Sequence, residues 1–404
     1  MQQALSGIRV LDLSRVLAGP WASQTLADLG ADVIKVERPG RGDETRGWGP
    51  PWLETKAGEP GPSAYFLSCN RGKRSVAIDF SQPEGRELIH ALVMKSDILL
   101  ENFRPGSLER HGLDYTTLTR DHPGLIYCSI TGFGQTGPYR DRAGYDLLLQ
   151  AMGGLMSITG DPDERGGKPA KVGVALTDIL TGLYATIACQ AALAERQQTG
   201  QGQYVDLALM DVQVATLANQ AMNYLVGGQI PGRMGSEHPN IVPYQAFETA
   251  DRPLVITVGN DAQCARLCRA LGRPELAEDP AYARNADRVA NREDLIPELQ
   301  AAFRQKTREE WLQALETAGV PAGPVNDMAE VFADPQVRAR GMAGTTEHPS
   351  LGTVPSVANP LRRGEQTRQD APPTLGENTE AVLTEILEMP AQRIRALRET
   401  GVID

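Results

Sequence analysis

Asp178 is the residue whose surroundings best suit covalent chemistry. It follows Ala175-Leu-Thr and opens an apolar stretch of small residues that predicts a buried helix over 176–196. A carboxylate at a helix N-terminus lies beside free backbone N–H groups and the positive end of the helix dipole, which favour its ionised form. An ionised aspartate with small neighbours is what a carboxylate nucleophile needs. Such a residue can also be a simple helix N-cap, so both interpretations stay open here.

Basic residues recur next to the predicted strands. One alone is typical of a solvated surface arginine, but ligands of open α/β sheets bind at the carboxyl ends of the strands. The planar guanidinium group also matches phosphate oxygens well. A phosphate-bearing ligand is therefore one of two open interpretations of these residues, which are Arg71, Lys73, Arg74, Arg104, Arg110, Arg140 and Arg142.

Strands and helices alternate in the first third of the chain, which predicts a parallel sheet covered by helices on both faces. Helices dominate after residue 140, and a smaller α/β module is expected from about 254 to 323. The strands are expected at 8–13, 31–37, 75–80, 97–101, 125–130 and 203–207, and helices at 21–29, 83–95, 176–196, 209–226 and 378–387.

Composition excludes several classes of protein. The net charge of -11 argues against general binding to nucleic acid or to an anionic membrane. The N-terminus shows no basic-then-apolar signal segment, and no apolar run approaches membrane-spanning length. The five cysteines form no CxxC pair and are expected to be reduced thiols. These features together predict a cytoplasmic protein.

Familiar cofactor and catalytic motifs are missing from the sequence. The turn over residues 14–20 lacks the GxGxxG pattern that lets backbone approach a pyrophosphate, which argues against a nicotinamide or flavin cofactor. No Gly-x-Ser-x-Gly elbow, P-loop or histidine-rich ligand set occurs. A serine hydrolase, a nucleotide triphosphatase and a metalloenzyme are therefore unsupported, and no metal site is predicted.

Six motifs in the same order resemble CoA-transferase family III, and the resemblance spans nearly the whole chain. It implies an open Rossmann-like large domain from residues 1–205 and 330–404, a small α/β domain from 226–329, and a linking helix over 206–225. It also implies an interlocked homodimer. The motifs are Gly7-Ile-Arg-Val-Leu-Asp-Leu13, Ala18-Gly-Pro20, Leu29-Gly-Ala-Asp-Val-Ile-Lys-Val-Glu-Arg-Pro-Gly40, Glu101-Asn-Phe-Arg-Pro-Gly106, Ala175-Leu-Thr-Asp178 and Gly200-Gln-Gly-Gln-Tyr-Val-Asp206.

The same resemblance assigns roles to individual residues. Asp178 matches the catalytic aspartate, which would carry first an acyl group and then CoA, with CoA as a substrate and no further cofactor. Two positions depart from formyl-CoA transferase, one member of the family: Leu17 replaces a glutamine of that enzyme, and Ala143 replaces a CoA-contacting lysine for which Arg142 can substitute. The residues expected to bind CoA are Leu17, Ala18, Arg38, Ile78, Asp79, Asn102, Phe103, Arg104, Arg110, Arg142 and Tyr145.

Two other functions remain as alternatives. The racemase branch of the family pairs its aspartate with a histidine in Gly-His-Asp, and the matching stretch here is Gly144-Tyr145-Asp146. Tyrosine, with an ordinary pKa near 10, is a poor base at neutral pH. The second alternative is a catalytically silent CoA-binding relative, which an intact Asp178 argues against.

Residues 15–20, 48–51, 127–132 and 241–247 resemble the branch of the family that moves CoA from succinyl-CoA to glutarate or itaconate. The partners implied are acyl-CoA and small carboxylic acids, here C4–C5 dicarboxylates. A distal carboxylate must be paired when it is buried, because an unpaired buried charge costs several kcal/mol. The candidates for this role are Arg46, Arg71, His238 and Asn240.

Overall fold

A computed structural model describes residues 3–361 and 370–404. The chain forms two compact units, which we describe separately. The first unit comprises Met1–Leu155, Val172–Ala221 and Gln336–Asp404, and the second comprises Met156–Lys171 and Met222–Pro335.

The strands in chain order are β1 Arg9–Asp12, β2 Asp32–Glu37, β3 Trp52–Glu54, β4 Pro60–Ser63, β5 Lys73–Ala77, β6 Ile98–Glu101, β7 Ile126–Thr131, β8 Tyr204–Ala208, β9 Tyr244–Phe247, β10 Leu254–Thr257, β11 Ala322–Pro324, β12 Ala343–His348 and β13 Gly352–Val357. The helices are α1 Ala18–Asp28, α2 Ala64–Cys69, α3 Pro83–Val93, α4 Tyr115–Asp121, α5 Asp146–Met152, α6 Leu176–Thr199, α7 Leu209–Ala215, α8 Ala218–Gly227, α9 Asp261–Ala270, α10 Pro274–Glu278, α11 Asn285–Ala290, α12 Arg292–Phe303, α13 Arg308–Thr317, α14 Met328–Ala333, α15 Pro335–Ala339, α16 Thr379–Leu387 and α17 Ala391–Glu399.

A six-stranded sheet with the order β5-β2-β1-β6-β7-β8 forms the centre of the first unit. All five strand pairs are parallel, for example Leu11 opposite Ile34 on one side and Leu99 on the other. From β1 the chain adds β2 and β5 on one side, and it then returns to add β6, β7 and β8 on the other side of β1. The order therefore reverses between β1 and β6, which is where open α/β sheets bind their ligands. The predicted α/β parallel sheet is confirmed.

The two faces of this sheet are covered by helices from different parts of the chain. On one face, Leu11 and Ile34 belong to a buried apolar cluster with residues of α3 and of the C-terminal helices α16 and α17. On the other face, Val10 and Val33 belong to a cluster with residues of α1 and α6. Successive strand residues point to opposite faces, so β1 and β2 each contribute apolar side chains to both clusters.

Helix α6 is the longest helix in the described residues, and it packs on α1. Its 24 residues are long and apolar enough, by length and composition, to cross a membrane, and 44% of its most apolar stretch is buried. The statement that no apolar run approaches that length is therefore wrong. Because α6 contributes Ala185, Cys189 and Ala192 to the buried cluster with α1, packing in the core explains the apolar residues on one face of the helix.

The second unit has its own antiparallel sheet, β11-β10-β9, and its own apolar core. Phe247 of β9 packs against Phe303 of α12 with the ring centroids 4.7 Å apart, and Trp311 of α13 lies beside Phe303. The unit is thus a smaller module of helices on a sheet, as the sequence predicted.

The predicted domain bounds need two corrections. Residues 206–225 are not a linking helix: the strand β8 pairs with β7 as far as Ala208, and two helices, α7 and α8, follow. Residues 156–171 belong to the second unit rather than to the large domain. Within that unit, Gly235 donates a backbone hydrogen bond to Gly160 and the Arg233 side chain binds the carbonyl of Asp161.

Candidate active site

A cavity of about 230 Å³ opens at the carboxyl ends of β1, β6 and β7. Its walls come from the segments that follow those strands, namely residues 15–18, 102–105 and 130–132, together with 142–145 and Asp178. The cavity lies where the strand order reverses, at the position that this topology favours for a ligand.

A second cavity of about 670 Å³ adjoins the first. Four arginines, Arg15, Arg38, Arg41 and Arg110, line it, whereas Asp178 lines only the first cavity. An elongated ligand with phosphates at one end and a reactive group at the other matches this distribution of charge. The two cavities adjoin, because four residues line both: Arg15, Glu44, Trp48 and Phe103.

Asp178 is a buried carboxylate without a partner. It lies in the first turn of α6 and is 9% exposed. Burial, and after it the negative charge of Asp146, raises the pKa of Asp178 from 3.8 to about 7. Within residues 3–361 and 370–404, no donor makes a hydrogen bond to its carboxylate. The carboxylate is thus close to its titration point at neutral pH and accessible from the cavity.

This raised pKa differs from the expectation that the helix N-terminus would favour the ionised form. Asp146 explains the difference, because its Oδ1 accepts hydrogen bonds from the backbone N–H groups of Thr177 at 2.8 Å and of Asp178 at 3.3 Å. Asp146 therefore replaces the N-cap side chain that Ala175 lacks. The donors at the helix start are used by Asp146, whose charge also repels that of Asp178.

Gly182 allows α6 to bring Asp178 to the start of α1. A Cβ at Gly182 would lie 2.7 Å from the carbonyl oxygen of Ala18 and 2.9 Å from Cβ of Trp21. Only a residue without a side chain permits so close an approach of the two helices. Because Asp178 precedes Gly182 by four residues, both lie on the same face of α6.

Val16, in the wall of the cavity, has a left-handed backbone with φ of 71°. A β-branched residue in this region is strained by about 1–3 kcal/mol. A buried ion pair supports the strained turn: Lys35 Nζ binds Asp43 Oδ2 at 2.9 Å, and Asp43 accepts the Val16 N–H at 3.3 Å. Burial alone would raise the pKa of Asp43, but the charge of Lys35 lowers it to about 2.

The family model for CoA-transferase family III matches residues 5–379. The chain belongs to CoA-transferase family III. Among its relatives, a succinate–glutarate CoA-transferase of Agrobacterium fabrum is 50% identical over 384 residues, which cover 95% of each chain. A human succinyl-CoA:glutarate CoA-transferase is 44% identical and covers 99% of this chain and 90% of the relative.

Solved structures agree with this membership. The crystal structure of a CaiB/BaiF family protein from Brucella suis is 49% identical, with a TM-score of 0.84 over 96% of this chain and 100% of that chain. The structure of Rv3272 from Mycobacterium tuberculosis is 34% identical, with a TM-score of 0.82 over 94% and 99% of the two chains. The resemblance stated from the motifs is therefore confirmed at the level of the family.

Every residue of this CoA-transferase predicted to bind CoA lines one of the two cavities. Seven line the cavity of Asp178: Leu17, Ala18, Asn102, Phe103, Arg104, Arg142 and Tyr145. Phe103 also lines the second cavity, together with Arg38, Ile78, Asp79 and Arg110. The structure thus brings together positions that are far apart in the sequence, while their contact with CoA stays a prediction.

Arg46 and Arg71 line neither cavity. Arg46 makes two hydrogen bonds to Glu37, of 2.8 and 2.6 Å, and its guanidinium group lies 3.7 Å over the ring of Phe66. Arg71 is buried and binds Asp28 through two of its nitrogens. This corrects the expectation that either arginine is free to hold the distal carboxylate of a substrate.

His238 and Asn240 lie in the second unit. His238 Nδ1 accepts the backbone N–H of Asn240 at 3.0 Å, and the ring packs 5.3 Å from that of Tyr244. The Asn240 side chain accepts a hydrogen bond from Asn223 at 3.0 Å. These contacts stabilise a loop of that unit, and a role of either side chain in substrate binding stays a prediction.

Two residues near Asp178, Tyr65 and Asp146, escaped the sequence analysis as functional candidates. Burial, and then the charge of Asp178, raises the pKa of Tyr65, whose ring packs edge-on against Trp48 at 5.2 Å. No motif marks Tyr65, because only folding brings α2 close to Trp48 and Asp178. Asp146 stands in the quoted Gly-Tyr-Asp stretch, where its capping role could have been considered.

In the described part of the chain, no group of three His, Cys, Asp or Glu side chains suits a metal ion.

Proposed function

We propose that this member of CoA-transferase family III moves CoA from succinyl-CoA to a C4–C5 dicarboxylate through covalent intermediates on Asp178. The observation that carries the proposal is the unpaired, buried carboxylate of Asp178 in the wall of a cavity that adjoins an arginine-lined one. A carboxylate stripped of water and of hydrogen-bond donors is a stronger nucleophile than one in solution.

The first half of the reaction releases the donor acid. The Asp178 carboxylate attacks the thioester carbonyl of the donor, which gives a mixed aspartyl–acyl anhydride and CoA thiolate. The thiolate then attacks the aspartyl carbonyl of the anhydride, so that the donor leaves as a free carboxylate and Asp178 holds CoA as a thioester. The bound nucleotide end keeps the thiolate beside the anhydride, which makes this step effectively unimolecular.

The second half repeats these steps in reverse with the acceptor. The acceptor carboxylate attacks the aspartyl thioester, which gives a new anhydride and frees the thiolate. The thiolate attacks the acyl carbonyl of the acceptor, which forms the new CoA ester and restores the Asp178 carboxylate. One thioester is consumed and one is formed, so the exchange is close to balanced in energy and needs no ATP.

The names of the relatives support the choice of substrates. Relatives from Agrobacterium fabrum and from humans are succinate–glutarate and succinyl-CoA:glutarate CoA-transferases, and one from Haloarcula hispanica, 40% identical, is a succinyl-CoA:mesaconate CoA-transferase. All three names contain a dicarboxylate of four or five carbons. We therefore extend a dicarboxylate preference, with glutarate or itaconate as acceptor, to this chain.

A dicarboxylate needs a cation for its distal end. Three arginines line the cavity of Asp178, and one of them, Arg15, pairs with Glu44. Arg104 and Arg142 make no ion pair with any described carboxylate, and Arg142 lies 3.9 Å over the ring of Tyr139. These two arginines replace Arg46 and Arg71 as the candidates for holding the distal carboxylate.

The test compares glutarate with valerate, which has the same length but one carboxylate. With succinyl-CoA as donor, glutarate should exceed valerate in kcat/KM by about tenfold or more, because valerate has no second carboxylate to pair with an arginine of this exposed pair. Arg104→Gln and Arg142→Gln identify the ligand, since only the replacement that removes it should collapse this ratio. Arg140→Gln, at an exposed arginine outside both cavities, is the matched control. Equal rates for the two acids would contradict the dicarboxylate proposal.

We also propose that two chains form an interlocked homodimer in the cytoplasm. The apolar side chains that α5 and α6 leave exposed within the first unit support an interface, among them Leu147, Leu148 and Ile187, with exposed fractions of 52%, 43% and 61%. Sedimentation equilibrium should give about twice the chain mass of 43.7 kDa.

A further inference from the structure

The strained turn at Val16 is held by residues of β2 and of the segment after β6, the two strands on either side of β1. We call residues 14–17 the 14–17 loop. Val16 is one of three residues other than glycine with positive φ in the described chain, and Ala218 and Glu388 are the others. Among these, Val16 alone is β-branched, which makes the left-handed region least favourable for it. An isolated loop of this sequence would therefore adopt another conformation.

Side chains from outside the 14–17 loop form hydrogen bonds with its backbone N–H and C=O groups. Lys35 Nζ binds the carbonyl oxygen of Ser14 at 3.0 Å, and Asp43 accepts the N–H of Val16. Between these contacts, Asn102 binds Arg15 twice: its Oδ1 accepts the Arg15 N–H at 2.9 Å, and its Nδ2 donates to the Arg15 carbonyl at 2.7 Å. Both ends of the Asn102 amide are thus directed at one peptide segment.

The conformation of the loop decides where the next residues lie. Leu17 is the N-cap of α1 and makes no side-chain capping bond, and both Leu17 and Ala18 line the cavity of Asp178. Any change of φ at Val16 would rotate these two residues relative to Asp178. The amide of Asn102 therefore controls the wall of the cavity, although Asn102 itself lies on a different strand end.

We infer that Asn102 is a positioning residue: its side chain holds the 14–17 loop in the left-handed turn on which CoA binding depends. The inference rests on CoA binding at these cavities, as proposed above. Asn102 directs one N–H of its amide and one lone pair of Oδ1 at the same residue, Arg15, which is the geometry of a side chain that fixes a loop.

A double-mutant cycle between Asn102 and Val16 tests the inference, with the dissociation constant of free CoA from titration calorimetry as the readout. Asn102→Ala should weaken CoA binding by about 10- to 100-fold, because two hydrogen bonds to the loop are lost. Adding Val16→Gly should recover about tenfold, since glycine adopts positive φ without strain. Val16→Ala is the matched control: it shortens the same side chain but keeps most of the strain.

Selective rescue by glycine is the expected result. Equal recovery by glycine and alanine, no recovery by either, or wild-type affinity of Asn102→Ala would each overturn the inference. A residue that only contacts CoA could not be rescued by a backbone change at position 16. Thermal unfolding of each variant separates loss of the fold from loss of affinity. Failure of the wild-type protein to bind CoA would instead refute the proposed function.

Discussion

Two buried aspartates, Asp43 and Asp178, line the two adjoining cavities and have opposite electrostatic environments. Asp43 has a side chain that is fully buried, and Lys35, Thr45 and the backbone of the 14–17 loop bind it, so that its pKa falls to about 2. Asp178 is nearly as buried, but its closest charge is the carboxylate of Asp146 and its pKa rises to about 7. Burial acts equally on both, and the neighbouring charges decide the outcome.

This difference in environment gives the two aspartates different roles, a structural role for Asp43 and a chemical role for Asp178. A paired aspartate is a poor nucleophile, because its lone pairs are engaged, but it can hold a strained loop in place. An unpaired aspartate destabilises the fold and is available to attack a thioester. Aspartate thus has two roles at the adjoining cavities. Replacing Asp178 should mainly lower turnover, and replacing Asp43 should mainly lower the free energy of unfolding.

Replacing Asp178 should give the largest effect. Asp178→Asn keeps the shape of the side chain but removes the nucleophile, so turnover should fall by at least ~10³-fold. Stability should not fall, because asparagine carries no charge to bury. Hydroxylamine added to wild-type enzyme with succinyl-CoA should convert Asp178 to a hydroxamate, detected by peptide mass, and the variant should give none. Near-normal transfer by the variant would rule out the covalent route.

Replacing Asp43 should give the reverse pattern. Asp43→Asn removes the carboxylate that is hydrogen-bonded to the buried Lys35 and leaves only the charges of Asp12 and Glu37 near it, which should lower the unfolding free energy by about 3 kcal/mol. The double variant Lys35→Met with Asp43→Leu removes both charges and should regain most of that stability, because no unpaired charge remains. Urea denaturation measures both. A single variant as stable as the wild type would show that the ion pair does not support the fold.

Much of the fold could be predicted from local pattern. The parallel strands are read from apolar runs with turn residues between them, and α6 from its small apolar residues, because these signals depend on neighbours in sequence. The hairpin of β12 and β13 was missed, since its strands contain Gly344, Pro355 and several polar residues. The break at Ala218 between α7 and α8 was also missed, because alanine gives no sign of a positive φ.

The site was predictable only where the family motifs mark it. The motifs identify the cavity-lining positions, but they carry no information on which cations are already paired. Arg46 and Arg71 were chosen for their charge, yet Glu37 precedes Arg46 by nine residues and Asp28 precedes Arg71 by 43, and no local pattern shows that the folded chain pairs them. The pKa of Asp178 was likewise beyond local reasoning, because Asp146 reaches it across 32 residues.

The pH dependence of activity should follow Asp178. Only the ionised carboxylate attacks the thioester, so kcat/KM should fall about tenfold for each pH unit below a midpoint near pH 7 and level off above it. Asp43 should not contribute, since with its pKa at about 2 it stays ionised throughout this range. Initial rates between pH 5.5 and pH 8.5 give the profile. A rate independent of pH across that range would contradict the raised pKa.

The titration of Asp178 should also change the free energy of unfolding with pH, although this effect is smaller than the effect on activity. The pKa of Asp178 is higher in the folded enzyme than the ordinary aspartate value of 3.8, so the folded state binds the proton more tightly. Stability from this group is therefore present at low pH and lost as pH rises through about 7. Relative to Asp178→Asn, the wild-type enzyme should lose about 2 kcal/mol between pH 5.5 and pH 8.5.

The comparison isolates Asp178 from other groups that titrate nearby. Burial raises the pKa of Glu101 to about 7 and lowers that of Lys73 to about 8, but both proteins contain these residues and their contributions cancel in the difference. For Asp43 the sign is opposite: its stabilisation is complete above about pH 4 and is lost as pH falls toward 2, outside this window. Urea denaturation of the two proteins without CoA measures the difference. A constant gap between them would mean that Asp178 is ionised at both ends of the range, and the contrast with Asp43 would disappear.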